Sequence, residues 1–142
     1  MNILPKTGID KIRLGMSKQD ITKLLGQPIS TESNPEDDIW EFKNDIELSF
    51  QKDDNYLLSS IIVSNPSALL ESKKIIGISE TEFFSDFPTF ELDEDFGENG
   101  KSYWSDELQL MAWLFEGEVF NITIFPEYRD SDETPIWPKK DI

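Results

Sequence analysis

Apolar residues recur along the chain with two periods, and the change from one to the other marks out the elements. In Ile12-Arg13-Leu14-Gly15-Met16-Ser17-Lys18-Gln19-Asp20-Ile21-Thr22-Lys23-Leu24-Leu25-Gly26-Gln27-Pro28, the residues Ile21, Leu24 and Leu25 fall three and four apart. That spacing gives a short helix one apolar stripe. Ser17 ahead of it can accept from the N–H three residues on while Asp20 reaches back, a capping box, and Met16 and Ile21 stand at the spacing of a hydrophobic staple. Gly26 and Pro28 end the helix. Two turns do not hold alone, because nucleation is costly, so the pattern predicts a sheet for the helix to lie on.

The pattern returns 62 residues later in Ile76-Gly77-Ile78-Ser79-Glu80-Thr81-Glu82-Phe83, with Ser79 and Glu82 as a second capping box and Ile78 and Phe83 as a second staple. Phe84 and Phe87 supply the stripe and Pro88 the stop. Downstream of each helix the period falls to two. Ile46-Glu47-Leu48-Ser49-Phe50 and Leu108-Gln109-Leu110-Met111-Ala112 alternate as half-buried strands do. Turns at Asp53-Asp54-Asn55 and Glu116-Gly117-Glu118 lead into branched and aromatic runs, Leu58 to Val63 and Val119 to Phe125, while Ile39 to Phe42 and Ser102 to Trp104 read as first strands. The expected fold class is α+β: two tandem repeats, 9–64 and 75–126, each a short capped helix followed by an antiparallel meander of about three strands. A half of about 65 residues has no comfortable core alone, so 1–142 is expected to form one compact unit. Residues 65–71 read as a short capped helix or a loop, and 127–142 as an extended tail pinned by Ile136 or Trp137.

Charge changes this picture more than composition does. The net charge is −16, and it is uneven: residues 1–64 carry 11 acidic and 7 basic side chains, residues 65–142 carry 18 and 6. Such a surface opposes direct contact with nucleic acid or an anionic membrane and suits a basic partner. No apolar run approaches the length of a membrane span; Leu110 to Phe115 has six residues. Pro5 and Lys6 interrupt the apolar stretch a secretion signal would need, and the chain has no cysteine, which together lead to the expectation of a cytoplasmic protein.

The two-copy pattern resembles the tandem-repeat family that includes the β-lactamase inhibitor protein and the small outer-membrane-assembly lipoproteins of the SmpA type. Ile12, Leu14 to Ser17, Asp20, Ile21, Leu24 to Gly26 and Pro28 carry the likeness in the first copy; Gly77, Ser79, Glu82 and Phe83 carry it in the second. The likeness implies the helix-plus-meander fold. The family's disulfides and lipidated cysteine have no counterpart here, and small acidic cytoplasmic proteins of this build are similar to immunity proteins of bacterial competition systems, including contact-dependent inhibition.

With no histidine and no cysteine, the usual nucleophiles, proton shuttles and transition-metal ligands are missing, and no enzyme activity or cofactor is expected. The run Asp93-Glu94-Asp95 with Glu98 suggests a calcium loop, but Phe96 stands where that motif needs glycine and Trp104 where it needs a bidentate glutamate, so no metal is expected. The outward faces of the two strand sets differ. Glu47, Ser49 and Gln51 make an ordinary wet face in the first copy, whereas the second presents Gln109, Met111 and Trp113 with Trp104 beside them. An apolar face opposite a filled core needs a cover: the tail around Trp137, the first copy's sheet, a second copy of the chain, or a partner. The partner reading places Tyr103, Trp104, Met111 and Trp113 as anchors among Glu91, Asp93, Glu94, Asp95, Glu98, Asp106 and Glu107. The expected function is an immunity protein that neutralises a basic toxin, a nuclease being the economical target. The alternatives are an envelope-assembly or scaffold module of the SmpA type and a small-ligand-binding protein.

Overall fold

The structure, a computed structural model, describes residues 1–139. Its frame is one antiparallel sheet of eight strands: β1 (Ser30–Ser33), β2 (Asp37–Phe42), β3 (Ile46–Gln51), β4 (Leu58–Val63), β5 (Glu91–Asp95), β6 (Lys101–Ser105), β7 (Leu110–Phe115) and β8 (Glu118–Ile124). They lie in the order β5-β6-β7-β8-β4-β3-β2-β1, so the last strands of the two halves pair with each other, Ile122 opposite Val63, Thr123 opposite Ile62 and Ile124 opposite Ile61. Each half holds one helix, α1 (Lys18–Leu25) or α2 (Glu80–Asp86), and four strands rather than about three. The strands the pattern missed are β1 and β5. Every residue in both is exposed, so neither shows the apolar alternation that reveals a half-buried strand.

The helices form where the caps place them. Ser17 Oγ accepts from Asp20 N and Ser17 N donates to Asp20 Oδ2, both at 3.1 Å. At α2 only half of that arrangement exists: Ser79 Oγ accepts from Glu82 N, and Glu82 does not reach back. Both staples are buried, Met16 with Ile21 and Ile78 with Phe83. The entries to the two helices are fastened alike. Gly15 N donates to Leu58 O and Leu58 N to Met16 O; Gly77 N donates to Val119 O and Val119 N to Ile78 O, all between 2.7 and 3.0 Å. A β-bulge also sits at matching places, with Ser59 unpaired between β3 and β4 and Phe120 unpaired between β7 and β8.

The core fills the helix-covered face of the sheet. One row across seven strands, Phe42–Ile46–Val63–Ile122–Ala112–Tyr103–Leu92, is apolar throughout. Onto that face pack Ile21, Phe83 and Phe87 of the helices, Ile9, Ile12 and Leu14 of the N-terminal segment, and Ala68, Leu70, Ile75 and Ile76 of the connector. The N-terminal residues form a three-stranded ladder, Ile3–Leu4, Gly8–Ile9 and Ile12–Arg13, which is tied to the connector where Asn2 bridges Leu69. The connector is neither helix nor plain loop. Asn65 closes a turn through Ser67 and Ala68, and a tight hairpin comes next, Leu69–Leu70 against Lys73–Lys74. Lys18 joins α1 to β2 through an ion pair with Asp38, its ammonium lying 5.1 to 5.8 Å from the ring centres of Tyr56, Phe50 and Trp40.

The tail is likewise not simply extended: Glu127–Tyr128 pairs with Pro135–Ile136, and Trp137 anchors the segment by packing against the core. Residues 140–142 of the expected tail lie outside the described residues. Gly15 makes that anchor possible, because at φ +89 a Cβ there would stand 2.9 Å from the Trp137 ring. Gly77 has nearly the same φ, +85, with nothing within 4 Å of its Cβ position. The comparison separates conformational strain from contact. Gly77→Ala is expected to cost about 1 kcal/mol, and Gly15→Ala more than about 2 kcal/mol because Trp137 must also move, as read from denaturant midpoints.

Candidate functional site

Joining the halves edge to edge leaves the second face of the sheet without helices. One residue along from the core row, the strands present Glu91–Trp104–Met111–Thr123–Ile62–Glu47–Glu41–Ser30 in a single line. Directly opposed residues on neighbouring antiparallel strands share a face, so these side chains form one surface. Beside it runs a second line, Ser102–Trp113–Asn121. The surface is graded, aromatic and apolar over the second half and acidic over the first.

The aromatic end is assembled by close backbone approach. Trp113 lies over Gly100, where a Cβ would come within 3.0 Å of its ring, and its ring centre is 5.4 Å from that of Phe96. Trp104 meets Phe125 edge-on at 5.8 Å. Trp104, Met111 and Trp113 are each half-buried. Among the described residues, neither cover offered by the rest of the chain is used. The first half's sheet continues this sheet instead of lying across it, and Trp137 is on Gly15 at the entry to α1.

Of the residues the sequence singled out, Trp104, Met111 and Trp113 do share this face, and Glu91 stands directly beside Trp104. Asp93 accepts a hydrogen bond from Ser102 Oγ at 3.2 Å, which holds it next to Trp113's strand partner. Glu94 is on the same edge strand, Asp95 caps the turn at Gly97 N, Glu98 lies in that turn, and Asp106 and Glu107 occupy the exposed β6–β7 turn beyond Trp104 and Met111. Tyr103 is the correction. It points to the opposite face, is 7% exposed, and packs against Phe83 and Phe84 at 5.8 and 5.2 Å, so it is core and not an anchor; burial pushes its phenol up. Gln109 leaves the outward face too, because the strand begins at Leu110 and Gln109 sits in the turn at φ +53.

The first half's face is more than a wet surface. Glu47 is half-buried, and burial, then Glu41 and Glu32, hold its carboxyl above the ordinary value of 4.5. The outward register of Glu47 was readable from the alternation. Its crowding by Glu41 and Glu32 was not, since those residues reach it across strand pairs.

Residues 1–54 match the family model of the outer membrane protein assembly factor BamE domain. The match spans the N-terminal ladder, α1 and the first three sheet strands, and it agrees with the SmpA-type resemblance. Comparison with curated proteins finds no significant match. Among solved structures, the chain is similar to YjgB, a DUF4309 family protein from Bacillus subtilis subsp. subtilis str. 168, with TM-score 0.60 and 11% identity over 86% of this chain and 88% of that one. It is also similar to an extracellular protein containing a SCP domain from Bacillus anthracis str. Ames, with TM-score 0.51 and 10% identity. That alignment covers 80% of this chain and 44% of the other. At these identities the two structures show a shared fold.

The family match overturns the expectation of a cytoplasmic protein, since an outer membrane assembly family points to the envelope. The missing cysteines weighed too heavily in that expectation: a single sheet with a continuous core needs no disulfide, so their absence does not report a compartment. Nothing in these comparisons supports the toxin-immunity reading.

Glu47 gives the face a pH signature. A carboxyl whose pKa is higher in the folded than in the unfolded chain favours folding while protonated, and that contribution is lost as pH rises through the folded value. Glu47→Gln is therefore expected to be more stable than the parent at pH 7, with the difference shrinking as pH falls toward 4 in matched thermal melts.

Proposed function

We propose that the chain is a non-enzymatic protein-binding module of the envelope-assembly type, which docks a partner on the helix-free face of its sheet. The observation that carries this reading is the line Trp104–Met111–Thr123–Ile62 with Trp113 alongside, an apolar surface that no described segment of the chain covers. Rigid aromatic side chains lose little entropy on binding and supply large contact area, which is why they dominate interface energetics. The match of residues 1–54 to an outer membrane assembly domain supports the envelope setting. The absence of histidine and cysteine supports a binding rather than a catalytic role.

Cell fractionation is the first test: the native protein is expected with the envelope, and recovery wholly alongside cytosolic enzymes overturns the reading. Met111→Glu is the second. Met111 is half-buried at the centre of the face and outside the core, so the charge is expected to change stability by less than about 1 kcal/mol while releasing the protein from the envelope fraction. Retention of the variant at parental level argues against docking through this face.

A further inference from the structure

The core row of the sheet runs out at an edge that nothing described covers. From Ala112 it passes through Tyr103 to Leu92 on β5, the outermost strand, where Leu92 is 55% exposed although the row behind it is buried. Phe84 of α2 is 43% exposed and meets Tyr103 edge-on at 5.2 Å. Leu92 and Phe84 thus border the same buried ring and make an apolar step at the rim of the sheet. The backbone there is open as well. Among the described residues no strand or isolated bridge pairs with the outer edge of β5, so its outward N–H and C=O groups meet no other strand.

The two sides of this edge carry different chemistry. Glu91 and Glu94 stand opposite Trp104 and Ser102 on the open face, and Asp93, the residue that the bulge adds, accepts from Ser102 Oγ on that same face. On the helix face are Leu92 and Asp95, and Asp95 Oδ1 is taken up by Gly97 N. Edges are commonly kept from pairing by lysine, proline, a bulge or charge; β5 has the bulge and the carboxylates, and neither lysine nor proline. A guard of carboxylates is selective. A second copy pairing β5 with β5 sets acid against acid, whereas a cationic strand is attracted.

We propose that β5 accepts a ninth strand from the protein partner, an extended segment in which apolar and basic residues alternate. Its apolar side chains complete the row at Leu92 and Phe84, and its basic side chains lie beside Glu91, Asp93 and Glu94. The proposal rests on the protein-binding reading above and extends the contact from the open face to the rim, where Glu91 adjoins Trp104. In strand addition the main-chain hydrogen bonds give affinity, and the alternate side chains give selectivity. The opposite edge is less suited. Its strand β1 has four residues and none is apolar, and although Ile29 just before it is exposed, Pro28 interrupts the edge there.

The test is an NMR titration with amide hydrogen exchange on the full chain at physiological salt, using a heptapeptide that alternates lysine and valine. A peptide of the same residues with its lysines and valines in separate blocks controls for charge alone. The alternating peptide is expected to bind about tenfold tighter than the blocked one and to slow amide exchange within residues 91–95. Two further copies, N-methylated on every lysine or on every valine, close opposite edges of the peptide strand. One is expected to bind about tenfold more weakly and the other like the parent, because only one edge meets β5. Leu92→Glu is expected to weaken binding about fivefold without lowering the thermal midpoint; the added carboxylate strengthens attraction to lysine, so the loss reports the apolar step. Glu91→Gln with Glu94→Gln is expected to cost about fivefold, and Asp130→Asn with Glu133→Gln, the same charge change on an exposed turn, less than about twofold. Equal binding of the alternating and blocked peptides, equal effects of the two N-methylations, protection at 30–33 instead of 91–95, or no saturable binding overturns the ninth strand. Binding centred on Met111 and Trp113 without protection in 91–95 overturns it while leaving the docking face standing.

Discussion

The three residue pairs that join β8 to β4 decide the architecture. Ile122 with Val63, Thr123 with Ile62 and Ile124 with Ile61 unite two helix-plus-meander halves into one sheet. Had the halves packed sheet against sheet, each would have covered the other's outward face. Joined at the edges, they put both helices on one side and leave eight strands open on the other. The core and the candidate docking surface are thus the two faces of one hydrogen-bonded object, one residue out of step. This is why Tyr103 is buried core while Trp104, its chain neighbour, faces outward.

Each half contributes the same fastening between helix entry and last strand, and the differences are concentrated outside it. The hydrogen bonds of Gly15 and Met16 to Leu58 have counterparts in those of Gly77 and Ile78 to Val119. Those residues serve the fold. The bulge shows how one scaffold position carries different side chains in the two halves: a serine that satisfies local polar groups in one, an exposed phenylalanine in the other. The large negative charge obeys the same division. Lys18–Asp38 and Lys101–Glu80 tie helices to the sheet, whereas Glu41 and Glu32 crowd Glu47 on the open face, a cost to folding.

The features legible in the sequence were short-range ones. Caps and staples marked both helices, period-two alternation marked β3 and β7, branched and aromatic runs marked β4 and β8, and the apolar set at Ile46, Leu48, Phe50, Leu110 and Ala112 is buried as the alternation requires. The outward placement of Trp104, Met111 and Trp113 was legible for the same reason. The edge strands β1 and β5 were not, because a strand exposed on both faces has no apolar period to display. The second capping box was half illusory, since spacing shows that Glu82 can reach back and not that it does. Only the tertiary structure decided how the halves meet and what lies beside what. Pairing Ile62 with Thr123 crosses 61 residues of chain and leaves no local signature, yet it places the aromatic face of the second half against the carboxylates of the first. Local patterning specifies which face a side chain takes; the partner strand across a long loop specifies its neighbours, and this site is made of neighbours.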